Sequence, residues 1–155
     1  MKSAITLEHT VDFSETDMAG LVHFSNYFRW MEKAETALLK SLSIELIELS
    51  KSGMQGWPRA KAECDFMAPI TFGDTVSICL WVDAIRKRTL HYRADIYKQE
   101  GKTWALCAQG RLKTIFAHRA WAEDKLSAET IPASVLTKIS VCETPPKPGP
   151  SNKES

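Results

Sequence analysis

The chain opens with an alternation. Ile5, Leu7, His9, Val11 and Phe13 fall on one side, and Thr6, Glu8, Thr10 and Asp12 on the other. That period predicts a half-buried strand. Ser14 to Gly20 breaks the pattern with polar residues and a glycine, which predicts a loop. From about Phe24 to Leu39 the period lengthens. Tyr27, Met31, Ala34 and Leu38 recur at helical spacing, Phe24, Phe28, Trp30 and Ala37 widen the stripe, and Ser25 or Asn26 is placed to cap its start. A second, short helical pattern runs from Ile44 to Leu49. Strands are then predicted over Ala60–Met67, Thr75–Ile85, Thr89–Lys98 and Thr103–Ala117, with turns at Phe72-Gly73-Asp74 and Glu100-Gly101. Small Ala108 and Gly110 in the last run predict close approach of another element. Ile131–Ile139 predicts a final short helix.

Strand, long apolar helix, then four consecutive strands predict an α+β fold. One curved antiparallel sheet wraps one buried helix, because no other element is available to cover the sheet. The helix is apolar on several sides, which points to a second subunit.

Composition narrows the picture. The 155 residues are 44% hydrophobic and 25% charged, which fits one globular domain, placed at residues 1–142. Glu143 to Ser155 has four prolines, one glycine and no apolar residue, so it is predicted to be a Pro-rich disordered tail. The net charge of +1 gives no global basic field for nucleic acid or an anionic membrane. No apolar run approaches the ~18 residues of a membrane span, and Met1 to Ile5 does not read as a secretory signal. The expectation is a cytoplasmic protein with neither nucleic acid nor membrane as partner. Cys64, Cys79, Cys107 and Cys142 form no Cys-x-x-Cys pair and read as packed, reduced thiols. His9, His23, His91 and His118 show no metal-ligand spacing, so no metal is expected.

The loop ahead of the long helix is where chemistry is expected. It holds Glu15, Asp17, Gly20 and His23 and feeds a helix N-terminus, whose unpaired N–H groups and dipole can polarise a carbonyl oxygen. A carboxylate just upstream could attack that carbonyl or activate a water. An acid before a helix is also an ordinary cap, so spacing alone does not decide.

The run Asp17-Met18-Ala19-Gly20-Leu21-Val22-His23-Phe24-Ser25-Asn26-Tyr27-Phe28-Arg29-Trp30-Met31-Glu32 resembles the signature of hot-dog-fold acyl-CoA thioesterases of the 4-hydroxybenzoyl-CoA thioesterase type, and the resemblance extends over about residues 5–118. It implies the hot-dog fold and hydrolysis of an acyl-CoA to a free acid and coenzyme A. It implies Asp17 as nucleophile or general base, and the Phe24 backbone N–H as the donor to the thioester oxygen. His23 is a further catalytic candidate, although related proteins of the tol-pal-associated type carry their histidine one position later. Tyr27, Met31, Glu32 and Trp57 are expected to shape the acyl pocket, and Arg86-Lys87-Arg88 to meet the coenzyme A phosphates. Glu32 is longer than the Asp it resembles, so a 4-hydroxybenzoyl substrate does not follow. Coenzyme A belongs to the substrate, and no separate cofactor is expected. The fold family also implies a homo-oligomer, a dimer or a dimer of dimers (a homotetramer), with sites at the interface. An acyl-carrier-protein thioesterase and a non-catalytic acyl-CoA-binding protein remain as alternatives.

The chemistry of a thioester fits this sparse set. Its thiolate leaves with a pKa near about 8.5 and needs no strong general acid. A carboxylate, a polarised carbonyl and exclusion of bulk water are sufficient. No Gly-x-Ser-x-Gly elbow is present.

Overall fold

In a computed structural model, which describes residues 3–150, the alternating front of the chain forms β1 (Ala4–Thr10). It lies antiparallel to β5 (Thr75–Ile85), with Leu7 opposite Ile78. β6 (Thr89–Glu100), β7 (Thr103–Ile115) and β4 (Arg59–Phe66) complete a five-stranded sheet in the order β1-β5-β6-β7-β4. Every neighbouring pair is antiparallel. The long helix is α1 (Ser25–Ser41). Its stripe of Tyr27, Trp30, Met31, Ala34 and Leu38 shares one core with Val76, Ile78, Leu80, Val82, Leu90 and Ile96 of the sheet. The predicted close approach is between α1 and β7. A Cβ at Gly110 would collide with the Met31 sulfur, so the absence of a side chain lets the helix settle on the sheet.

Three expectations change. Ile44–Leu49 is not a helix. Ser43 takes φ 55° just after α1, and the chain then runs as β2 (Ile47–Leu49) beside β3 (Gly53–Gly56). A run this short forms too few helical hydrogen bonds to offset nucleation, whereas a neighbouring strand satisfies its backbone directly. The long Thr103–Ala117 run is also divided. The Phe116 amide donates to the Arg88 carbonyl at 2.8 Å, and beyond it β8 (Ala117–Ala120) leaves β7. β8 joins β3, and with β2 and β9 (Leu126–Ala128) they form a second sheet in the order β2-β3-β8-β9. The helix cap shifts as well, since Phe24 rather than Ser25 or Asn26 occupies the N-cap position. The last helix is a single turn, α2 (Ala133–Leu136).

The stretch from Glu143 to Pro150 forms no helix or strand, yet it has partners that its composition did not suggest. Thr6 Oγ1 donates to the Lys147 carbonyl at 3.2 Å, and the Gly149 amide donates to Ser77 Oγ at 3.2 Å. Ser77 and Cys79, on the side of β5 away from the core stripe, are fully buried. Residues 151–155 of the predicted tail lie outside the described residues.

Candidate active site

The loop between β1 and α1 is fixed by its own backbone. The Asp17 amide donates to the Leu21 carbonyl at 2.8 Å, and the Asp17 carbonyl accepts the Gly20 amide at 3.0 Å. Gly20 has φ +80°, the left-handed conformation this tight turn needs and few other residues adopt. Asp17 Oδ1 accepts the Ala19 and Leu21 amides at 2.9 and 3.3 Å. One carboxylate oxygen is therefore held by main chain. The loop is pinned in turn by the Val22 amide on the Ile70 carbonyl at 2.9 Å.

The start of α1 is equally ordered. The His23 amide donates to the Glu15 carbonyl at 2.8 Å, the Ser25 amide to His23 Nδ1 at 3.3 Å, and the Asn26 amide to the His23 carbonyl at 2.9 Å. Among the described residues the Phe24 amide has no acceptor within hydrogen-bond distance. A groove of about 420 Å³ is lined by Asp17, Phe24, Tyr27, Phe66, Met67 and Ile70. Tyr27 is buried in its wall, with Phe66 edge-on at 4.9 Å. Burial, with smaller contributions from the Cys107 and Cys64 thiols, pushes its hydroxyl pKa up to about 12, so it stays protonated.

Other expected residues fall elsewhere. The His23 ring is exposed, lies 4.5 Å from the Phe24 ring and makes a 2.8 Å hydrogen bond with Ser25 Oγ. It caps the first turn and does not line the groove. Met31 is fully buried in the core. Glu32 and Trp57 line a second cavity of about 370 Å³, farther along α1. Glu32 lies eight residues beyond Phe24, roughly 12 Å along the helix. Arg86, Lys87 and Arg88 are exposed in the turn after β5. The groove adjoins the other end of that strand, so within one chain the three cations stand roughly 30 Å from the Asp17 loop.

Pattern reading missed Glu15 as a structural hub. Its Oε1 makes a 2.6 Å contact with His9 Nε2 and accepts the Asp12 amide at 2.9 Å, while its Oε2 accepts Trp30 Nε1 at 2.7 Å. Its carbonyl also accepts Asn26 Nδ2 at 2.8 Å. Burial raises the Glu15 pKa, but the hydrogen bonds from His9, Asp12 and Trp30 and the His9 charge outweigh it and leave the carboxyl below its ordinary value. His9, Asp12 and Glu15 are the one metal-type cluster among the described residues, and these internal hydrogen bonds already account for the Glu15 carboxylate. The signal available in sequence was the capping spacing of Asp12 and Glu15.

Comparison with known proteins bears on the family and the fold. The Thioesterase superfamily model matches residues 19–105, a span that starts two residues after Asp17. The Bacillus subtilis (strain 168) protein YneP, an acyl-CoA thioesterase by name, is 30% identical over 95 residues, covering 61% of this chain and 68% of YneP. A 1,4-dihydroxy-2-naphthoyl-CoA hydrolase of Prochlorococcus marinus (strain NATL1A) is 32% identical over 90 residues, covering 54% of this chain and 60% of that protein. Among solved structures, a gentisyl-coenzyme A thioesterase superposes with TM-score 0.70 at 30% identity, over 84% of this chain and 98% of that one. A 4-hydroxybenzoyl-CoA thioesterase superposes with TM-score 0.76 over 89% of this chain and 99% of that one, and at 19% identity it speaks for the fold alone.

Proposed function

The chain belongs to the thioesterase superfamily, and from that premise we propose that it hydrolyses an acyl-CoA thioester through Asp17 and the Phe24 amide. The observation that carries this reading is one groove lined by both residues, with Oδ1 of Asp17 held by two amides and the Phe24 amide unpaired. The substrate carbonyl oxygen accepts the Phe24 N–H, aided by the α1 dipole. Asp17 either takes a proton from an attacking water or attacks the acyl carbon itself. The tetrahedral oxyanion rests on the amide, the C–S bond breaks, and coenzyme A leaves as thiolate. If Asp17 is the nucleophile, water then cleaves the mixed anhydride. A single turnover in ¹⁸O-water separates the two, since only nucleophilic attack puts label into the protein.

The sheet edge supports a second subunit. β4 pairs with β7 on one side only, nearly all its residues are exposed, and Phe66 and Met67 are half exposed. A bare edge of this length invites another strand. A second copy pairing antiparallel along β4 sets the Arg59 end of one strand beside the Phe66 end of the other. The Arg86–Arg88 turn lies at the Arg59 end, because Arg59 and Leu90 are both register partners of Thr114. The pairing thus carries the second copy's basic turn toward the Asp17 groove, where Arg and Lys suit the coenzyme A phosphates.

Two measurements test the proposal. Thiol release across aromatic, short-chain and long-chain acyl-CoAs is expected to show turnover for at least one class. Turnover confined to acyl-carrier-protein esters, or binding without turnover, overturns it. Light scattering is expected to give a dimer or dimer of dimers of the 17.4 kDa chain, and a monomer at assay concentration overturns the shared site.

A further inference from the structure

The cavity beyond the groove has a wall that its packing does not explain. Leu46, Ile47, Trp57 and Leu126 make it largely apolar, yet Glu35 and Arg59 also line it. Glu35 is 4% exposed, and its Oε2 meets Arg59 Nη1 at 2.6 Å. A buried ion pair is a poor source of stability, since two apolar side chains of similar volume hold a fold as well. The guanidinium has five N–H donors. Among the described residues one donor bond is made, to Glu35, and the Arg59 side chain stays 32% exposed.

We infer that the Arg59–Glu35 pair determines specificity at the far end of the acyl group, selecting acyl-CoAs that end in a neutral oxygen acceptor over those that end in plain hydrocarbon. This rests on the proposed function, and on the antiparallel β4 pairing that sets the Arg59 end of one copy beside the groove of the other. Both cavities are lined by α1 together with one end of β4, so the pairing brings the Arg59 cavity of one copy alongside the groove of the other. A hydrocarbon end strips water from the free guanidinium N–H groups and gives nothing back, whereas a hydroxyl or keto oxygen replaces that water. An anionic end is disfavoured, because Glu32 joins Glu35 at the same cavity against the single charge of Arg59.

The test is the ratio of kcat/KM within two matched pairs: 4-hydroxybenzoyl-CoA against benzoyl-CoA, and 6-hydroxyhexanoyl-CoA against hexanoyl-CoA. The natural sequence is expected to favour the oxygenated member by about tenfold or more in one pair, and the pair that shows it tells aryl from alkyl acyl groups. In the Glu35→Leu/Arg59→Met double variant, which leaves no orphan charge, the ratio is expected to fall to near one. If that variant does not fold, Arg59→Lys keeps the charge without the planar fork, and the ratio should drop there too. A ratio that survives the substitutions, or no preference in either pair, overturns the inference while the thioesterase reading stands. Failure to cleave any of the four esters, or any class in the thiol-release screen, removes both.

Discussion

Asp17→Asn is expected to lower kcat for acyl-CoA hydrolysis by about 10³-fold, with KM little changed. The reason is in the hydrogen bonds. An asparagine keeps a side-chain oxygen to accept the Ala19 and Leu21 amides at 2.9 and 3.3 Å, so the loop and the Phe24 amide stay in place. What is lost is the charge on the outer oxygen, and with it both the nucleophile and the base. Binding through the coenzyme A moiety and the acyl cavity does not use that oxygen. Stopped thiol-release assays at saturating and limiting substrate give the split, and thermal unfolding checks that the fold is kept. Undiminished kcat in this variant removes Asp17 from the mechanism.

Glu15→Ala is expected to have the next largest effect: a loss of about 2–4 kcal/mol of stability and a fall in kcat of about 10²-fold. The substitution leaves the indole N–H of the buried Trp30 and the Asp12 amide without their acceptor. It also loosens the turn whose carbonyl holds His23 and Asn26 at the start of α1, where the Phe24 amide must be aimed. The same carboxylate gives a pH signature. Its native pKa lies below the ordinary 4.5, so its contribution to stability is complete above about 4.5 and is lost as pH falls through the native value. Urea unfolding from pH 7 to pH 3 is expected to show a smaller acid loss in Glu15→Ala than in the natural sequence. Equal slopes, with normal kcat, make Glu15 an ordinary surface acid.

Local periodicity carried much of the architecture. The helical spacing of Tyr27, Met31, Ala34 and Leu38 identifies α1, and the alternations along Thr75–Ile85 and Thr89–Lys98 identify two central strands. It failed at Ile44–Leu49, where the run is too short for the period to separate helix from strand. The loop that holds Asp17 and Gly20 was also legible, because every atom that shapes its turn lies within a few residues, whereas the helix cap fell at Phe24 and not at Ser25 or Asn26.

The Phe24 amide entered only through the resemblance of residues 17–32 to the thioesterase signature. By itself, then, the sequence determined the long helix, the central strands and the loop that carries Asp17. These depend on neighbours along the chain, and spacing reports neighbours. Only the tertiary structure decided that Glu15 reaches Trp30, that Glu35 and Arg59 meet across 24 positions, and that the basic turn stands far from Asp17 within one chain. Those facts depend on strand register and on how α1 lies across the sheet. Burial then makes each polar meeting matter, because a charged or hydrogen-bonding group removed from water must find its partner wherever the fold has placed one.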